Sequence, residues 1–256
     1  MRNGASVLVL FVGLLPAVAA PIPTVKAKPP TKLDRPQEAP EELRKELTGW
    51  DEKYRHGSEE KFAEMEKRAE ELVKECESDH DRARVWYAVA HVAAQSGVGI
   101  HADRVRKYAE KCLKLSRDPL DRGRMYSYLA SCEEVAKGAF ADRRKNSTDW
   151  LLKGYLELLV QELPDQKPEL PAVEKSPRIL GDGADDAAIR ARIAAQIAAR
   201  EQAVWVGEQI FRRDVLVMQF RNLYDQDPDQ LRKPAEAVLP TREDVDTLLK
   251  RVQPKK

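Results

Sequence analysis

Aromatic residues make up only 6% of this 256-residue chain, and glycine occurs just 12 times. Sheet-rich domains draw on aromatics and on glycine turns, so the scarcity of both argues against a sandwich or barrel and for helices with long solvated faces. Net charge is equally sparse, since 44 basic side chains against 43 acidic ones leave +1. There is no global basic field to draw in nucleic acid, and no acidic excess. Three cysteines, Cys76, Cys112 and Cys132, cannot make a disulfide scaffold, and at most one bridge can close within a monomer. Beyond the first twenty residues no stretch is apolar enough to span a bilayer.

Motifs that carry chemistry are also missing. The four histidines, His56, His80, His91 and His101, form no His-Glu-x-x-His pattern and no triad. Cys76 and His80 have helical metal-ligand spacing, but Cys112 and Cys132 fall on other helices and do not complete a set. Asp182-Gly183-x-Asp185-Asp186 lacks the spaced ligands and closing glutamate of a calcium loop. No Gly-Lys-Ser/Thr follows Gly181-Asp182-Gly183, so it is no phosphate loop. Asn146-Ser147-Thr148 fits a glycosylation sequon, which matters only in a eukaryotic host. The expectation is a protein that is not an enzyme, with no metal and no cofactor.

What is present begins with an address. Arg2, the apolar run Val7–Leu15 and Ala17-Val18-Ala19 read as a signal peptide over residues 1–19, cleaved before Ala20. This predicts export, to a periplasmic or secreted location, with no stable membrane insertion after cleavage; an uncleaved anchor is the alternative. Residues 20–39, rich in proline and lysine, read as a linker.

A helical domain is predicted over residues 40–163. Leu43, Leu47, Trp50 and Tyr54 share one stripe, and Gly57 ends that helix. Ser58 opens the next, which reaches about Ser78. Further helices are expected from Asp81 to Gly97, from about Ala102 to Ser116, from Leu120 to Lys137, and from Asn146 to Leu163. Residues 164–184 form a Pro-rich loop without periodicity. Residues 185–225 read as one long helix packing on the array, with Gly207 a place for a bend. The tail, residues 226–256, holds one short helix opened by Thr241 with Asp244 three residues on.

Two parts of this domain echo each other forty residues apart. Ala69-Glu70, Lys74, Asp81-Arg82, Arg84 and Ala90 recur as Ala109-Glu110, Lys114, Asp121-Arg122, Arg124 and Ala130. Trp86 and Val89 recur in kind as Tyr126 and Leu129. A fixed period of this size marks stacked helical hairpins.

Over residues 60–163 the chain resembles tetratricopeptide-like helical repeat proteins. Trp86-x-x-Val89-Ala90-x-x-Ala93 and Tyr126-x-x-Leu129-Ala130-x-x-Glu133 approach that family's first-helix pattern, while Gly97, Gly138 and Pro119 sit near its turns. The period of forty exceeds the family's thirty-four, and alanine replaces its glycine. The resemblance implies an all-α fold of antiparallel hairpins stacked as a short array, followed by a long C-terminal helix. It also implies a concave groove that holds a protein or peptide partner, lined by Arg84, Tyr87, His91, Arg124, Ser127 and Ser131. The two arginines would pair with a partner's carboxylates, or else with acidic residues of their own or neighbouring helices. The alternative function is a structural component that self-associates, as a homodimer, through Ile189–Tyr224 of the long helix; an enzyme with an unrecognised site in the Pro164–Gly183 loop ranks third.

Overall fold

The structure, a computed structural model, describes residues 38–171, 186–225 and 227–253. The leader, the linker up to residue 37 and residues 172–184 of the Pro-rich loop lie outside them. Every regular element among the described residues is helical. Six helices form the array: α1 (Glu41–Tyr54), α2 (Glu59–Glu75), α3 (Asp79–Gln95), α4 (Val98–Leu115), α5 (Pro119–Glu134) and α6 (Phe140–Leu159). The long α7 (Asp186–Leu223), a 3-10 turn (Pro228–Leu231), α8 (Arg232–Val238) and α9 (Arg242–Val252) follow.

The helices stack as a two-layered array. The odd-numbered ones form a row, α1 on α3, α3 on α5 and α5 on α7, while α2, α4 and α6 pack against that row from one side. Two apolar clusters fill the space between. One joins α1 to α5 around Phe62, Met65, Tyr108 and Leu129; the other joins α5 and α6 to the end of α7 and to α8 and α9 around Tyr155, Leu216 and Phe220.

The forty-residue echo is written in bonds as well as letters. Arg82 donates to the carbonyls of Val73 (3.4 Å) and Cys76 (2.8 Å), where α2 ends. Arg122 donates to those of Leu113 (2.7 Å) and Ser116 (3.1 Å), where α4 ends. Each guanidinium satisfies carbonyls that a helix terminus leaves without partners. Arg213 instead reaches carbonyls of the loop beyond α6, those of Pro164 (3.2 Å) and Asp165 (3.4 Å). Ser78 and Asp118, forty apart, both cap the helix that follows. Trp86 stacks on Tyr108 and Tyr126 on Trp150, with Lys111 and Lys153 over the respective tryptophans. Gly97 and Gly138 both adopt positive φ (122° and 139°) in the turns that follow α3 and α5, a conformation that side chains with a Cβ resist. Ala90 and Ala130 are both fully buried, although in different clusters.

Several boundaries differ from the sequence expectation. The third helix starts at Asp79, because Ser78 takes the cap and Asp81 sits inside the first turn. The fourth starts at Val98 and kinks at His101 rather than beginning at Ala102. The sixth starts at Phe140, not Asn146. The polar run that suggested a start there serves tertiary contacts: Ser147 donates to the Ala130 carbonyl (3.0 Å) and Thr148 bonds the Tyr224 hydroxyl (2.8 Å). The tail holds α8 as well as the expected α9, whose Thr241–Asp244 capping box is formed.

The 38-residue α7 runs through Gly207 without interruption, a rod of about 57 Å at 1.5 Å per residue. Only its second half packs on the array. From Arg190 to Val204 nearly every side chain is exposed, while Trp205, Ile210, Leu216, Val217 and Phe220 are buried. No helix among the described residues is long and apolar enough to cross a membrane. Cys76, Cys112 and Cys132 are all free thiols.

Candidate functional site

The residues expected to line a groove sit on the odd-numbered row. Arg84, Tyr87 and His91 lie at successive turns of α3; Arg124, Ser127 and Ser131 follow at successive turns of α5. The structure brings them to one side of the row but engages them in three different ways.

Arg84 is spent within the array. It meets Asp118 at 3.3 Å and Asp121 at 3.1 Å, both nearly inaccessible, at the start of α5. Asp118 also accepts from the Leu120 amide as the cap of that helix. Burial pushes the Asp121 carboxyl up to about 7, opposed by Arg84 and reinforced by Asp118. The sequence left open whether Arg84 meets a partner's carboxylate or a neighbouring helix's. It meets aspartates of the neighbouring helix.

Ser127 and Ser131 are covered by the chain's own α7. Ser127 donates to the side-chain oxygen of Gln219 (2.7 Å), whose amide nitrogen reaches Ser131 (3.4 Å). This end of the row is closed because α7 continues it, occupying the place beside α5 that α5 occupies beside α3.

Tyr87, His91 and Arg124 form a connected set. Arg124 donates to the Tyr87 hydroxyl and stands 5.5 Å from the centre of its ring. Burial, more than any other cause, pushes the Tyr87 hydroxyl up, so it remains protonated. His91 stacks beside Tyr87 and bonds the Tyr128 hydroxyl at 2.6 Å through Nδ1. Burial, with Arg124 adding to it, holds His91 down to about 4, which leaves the imidazole neutral at pH 7.

Arg84, Tyr87 and Arg124 line one wall of a cleft of about 750 Å³ whose opposite wall is α7, from Arg200 to Arg212. That volume falls in the range of specific ligand sites. Leu120, Val204, Trp205 and Phe211 supply apolar surface. The indole nitrogen of Trp205 is buried and has no hydrogen-bond partner among the described residues.

The residue that sequence reasoning missed here is Arg212. It is 8% exposed, yet it makes no ion pair with any described residue; its guanidinium stands 5.9 Å from the centre of the exposed Phe211 ring. Burial pushes its pKa down, and the charge of Arg124 pushes the same way. Its stem crosses α5 at Gly123, where a side chain's first carbon would stand 3.1 Å from the Arg212 Cγ. A glycine inside a helix is a sequence sign of such close approach, and Gly123 carried it. A second cleft, of about 780 Å³ beside Tyr224, is also lined by arginines. There Arg143 donates to the Glu134 carbonyl and Arg144 stacks on Tyr224.

No group of three or more histidine, cysteine or acidic side chains among the described residues is placed to hold a metal ion. Compared with known protein families, curated proteins and solved structures, the chain matches none of them.

Proposed function

We propose that this chain is an exported helical-repeat protein of tetratricopeptide-like type, acting as a scaffold or adaptor that holds a segment of a protein partner. The site is the cleft between the α3–α5 row and α7. The observation that carries this reading is the position of Arg124 and Arg212, from opposite walls, beside apolar surface and without ion pairs of their own among the described residues. No catalytic step, metal or cofactor belongs to it. Export to a periplasmic or extracellular location, by way of the 1–19 leader, is part of the same proposal.

A photocrosslinking residue placed at Leu120 or at Phe211, both on the cleft walls, tests the reading in the host. The expected result is one protein species captured from both positions and absent when the crosslinker stands at the exposed Lys145. Capture that does not depend on the cleft positions would refute it.

Self-association remains a second reading, and one observation favours it. Ile197, Val204, Phe211 and Met218 recur every seventh residue along α7, and all four are exposed. A row at that spacing supplies one of the two apolar positions per heptad along which helices of separate chains pair. Crosslinks from Phe211 to a second copy of the chain would support this reading instead. The Ile189 side chain, part of the expected seam, lies outside the described residues.

A further inference from the structure

Resting on the reading just given, we infer that the cleft recognises a carboxylate on an extended peptide, gripped by Arg124 from α5 and Arg212 from α7, with an apolar neighbour of that carboxylate lying against Trp205 and Phe211. A guanidinium taken from water without a counter-ion is held at a cost, and such a cost persists where an incoming anion relieves it. Arg212 comes close to that state: only 8% of the residue is exposed, its stem is cradled at Gly123, and its guanidinium stands at the cleft wall without an ion pair to any described residue. Arg124 is aimed by the Tyr87 hydroxyl and likewise forms no ion pair with a described residue, although its charge acts on the nearby Asp121. Two guanidinium forks that face one cleft from opposite walls, close enough for each charge to act on the other, match the oxygens of a carboxylate, which accepts from both.

The charges around the pair leave that place open. Asp118 and Asp121 are taken by Arg84, and Glu38 by Arg44. Glu208 is near enough to favour the charged form of Arg212, but it forms no ion pair within 4 Å. Arg200 and Glu201 stand farther along α7 on the same wall. The apolar surface beside the arginines argues for an anion carried on a side-chain-bearing chain, since a free inorganic ion would leave that surface bare.

The test is calorimetric titration of the whole chain with two blocked peptides, acetyl-Phe-Glu-Phe-amide and acetyl-Phe-Gln-Phe-amide, which differ only in the charge. Succinate and inorganic phosphate serve as free-anion probes. The expected result is at least tenfold tighter binding of the Glu peptide, a difference that Arg212→Met and Arg124→Met each abolish and that high salt erodes. Circular dichroism checks that the variants are folded. Should one fail to fold, the Glu-to-Gln ratio and its salt dependence in the native chain decide alone. Glu-peptide binding without cleft-dependent crosslinks in the host would leave this site standing and remove the adaptor reading; crosslinks with equal affinity for both peptides would do the reverse. Equal affinity for the two peptides, or succinate or phosphate binding as tightly as the Glu peptide, overturns the inference.

Discussion

The same substitution at two arginines of the array, Arg212 and the half-exposed Arg84, should move stability in opposite directions. Arg212→Met keeps most of the stem that lies against Gly123 and removes a charge that has no ion pair. Replacing a buried ion pair by apolar side chains of similar volume is often neutral or stabilising by about 1–4 kcal/mol, and the same desolvation argument applies to one charge that has no pair to lose. The contact with the exposed Phe211 ring is lost, at roughly 0.5 kcal/mol. The net expectation is a gain of about 1 kcal/mol, or on the order of 2–4 °C in Tm for a chain of this size. Arg84→Met instead strands Asp118 and Asp121, whose side chains are 1% and 2% exposed. Removing one partner of a buried ion pair costs about 3–5 kcal/mol. Guanidinium-induced unfolding, followed by circular dichroism at neutral pH, measures both. If Arg212→Met loses 2 kcal/mol or more, Arg212 is a structural residue with a partner, and the account of it as a charge awaiting a ligand fails.

Other perturbations test other parts of the structure. Asp121, raised to about 7 by burial, withdraws stability as pH climbs from its unfolded value near 4 toward 7. His91, held down to about 4 by burial, withdraws stability as pH falls from about 6.5 toward 4. The two trends oppose each other: relative to the native chain, Asp121→Asn should gain with rising pH and His91→Gln with falling pH, and parallel stability curves would refute both assignments. Arg122→Ala frees the Leu113 and Ser116 carbonyls and should cost roughly 1.5–3 kcal/mol. Arg82→Ala should cost less, because Arg122 also pairs with Glu157 inside the array at 2.7 Å while Arg82 pairs with the exposed Asp79. Equal costs in a urea titration would contradict that ranking. Thr241→Ala removes the α9 capping box and should lower stability by about 1 kcal/mol, read as a shift in the unfolding midpoint.

Much of the fold could be read in the sequence because local signals agreed with one another. The stripe Leu43, Leu47, Trp50, Tyr54 and the stop at Gly57 gave the first helix, and Asp118-Pro119 gave the start of the fifth. The forty-residue echo gave the stacking, and the structure adds the carbonyl contacts of Arg82 and Arg122 that make the echo physical. Other features depend on where distant segments meet, which periodicity does not encode. Nothing local says that α7 is solvated before Trp205 and packed after it, since isoleucine and alanine recur through the solvated half. Ser127 and Ser131 lie on the expected face of α5, but their neighbour is Gln219, roughly ninety residues away in the chain. Arg212 looks like any charge on a helix until Gly123 is seen beneath it.

The place of α7 beside α5 and α6 bears on how large the particle can become. Leu151, Leu152, Tyr155 and Leu158 would form a bare terminal face on the array, and Leu216, Val217 and Phe220 cover it. A head-to-tail surface left bare at one end invites the next molecule, and with no closing symmetry the outcome is a growing fibre. In that sense the final third of the chain is a stopper. It covers the face onto which a further hairpin would otherwise stack, and a product cut off ahead of α7 should self-associate through that face.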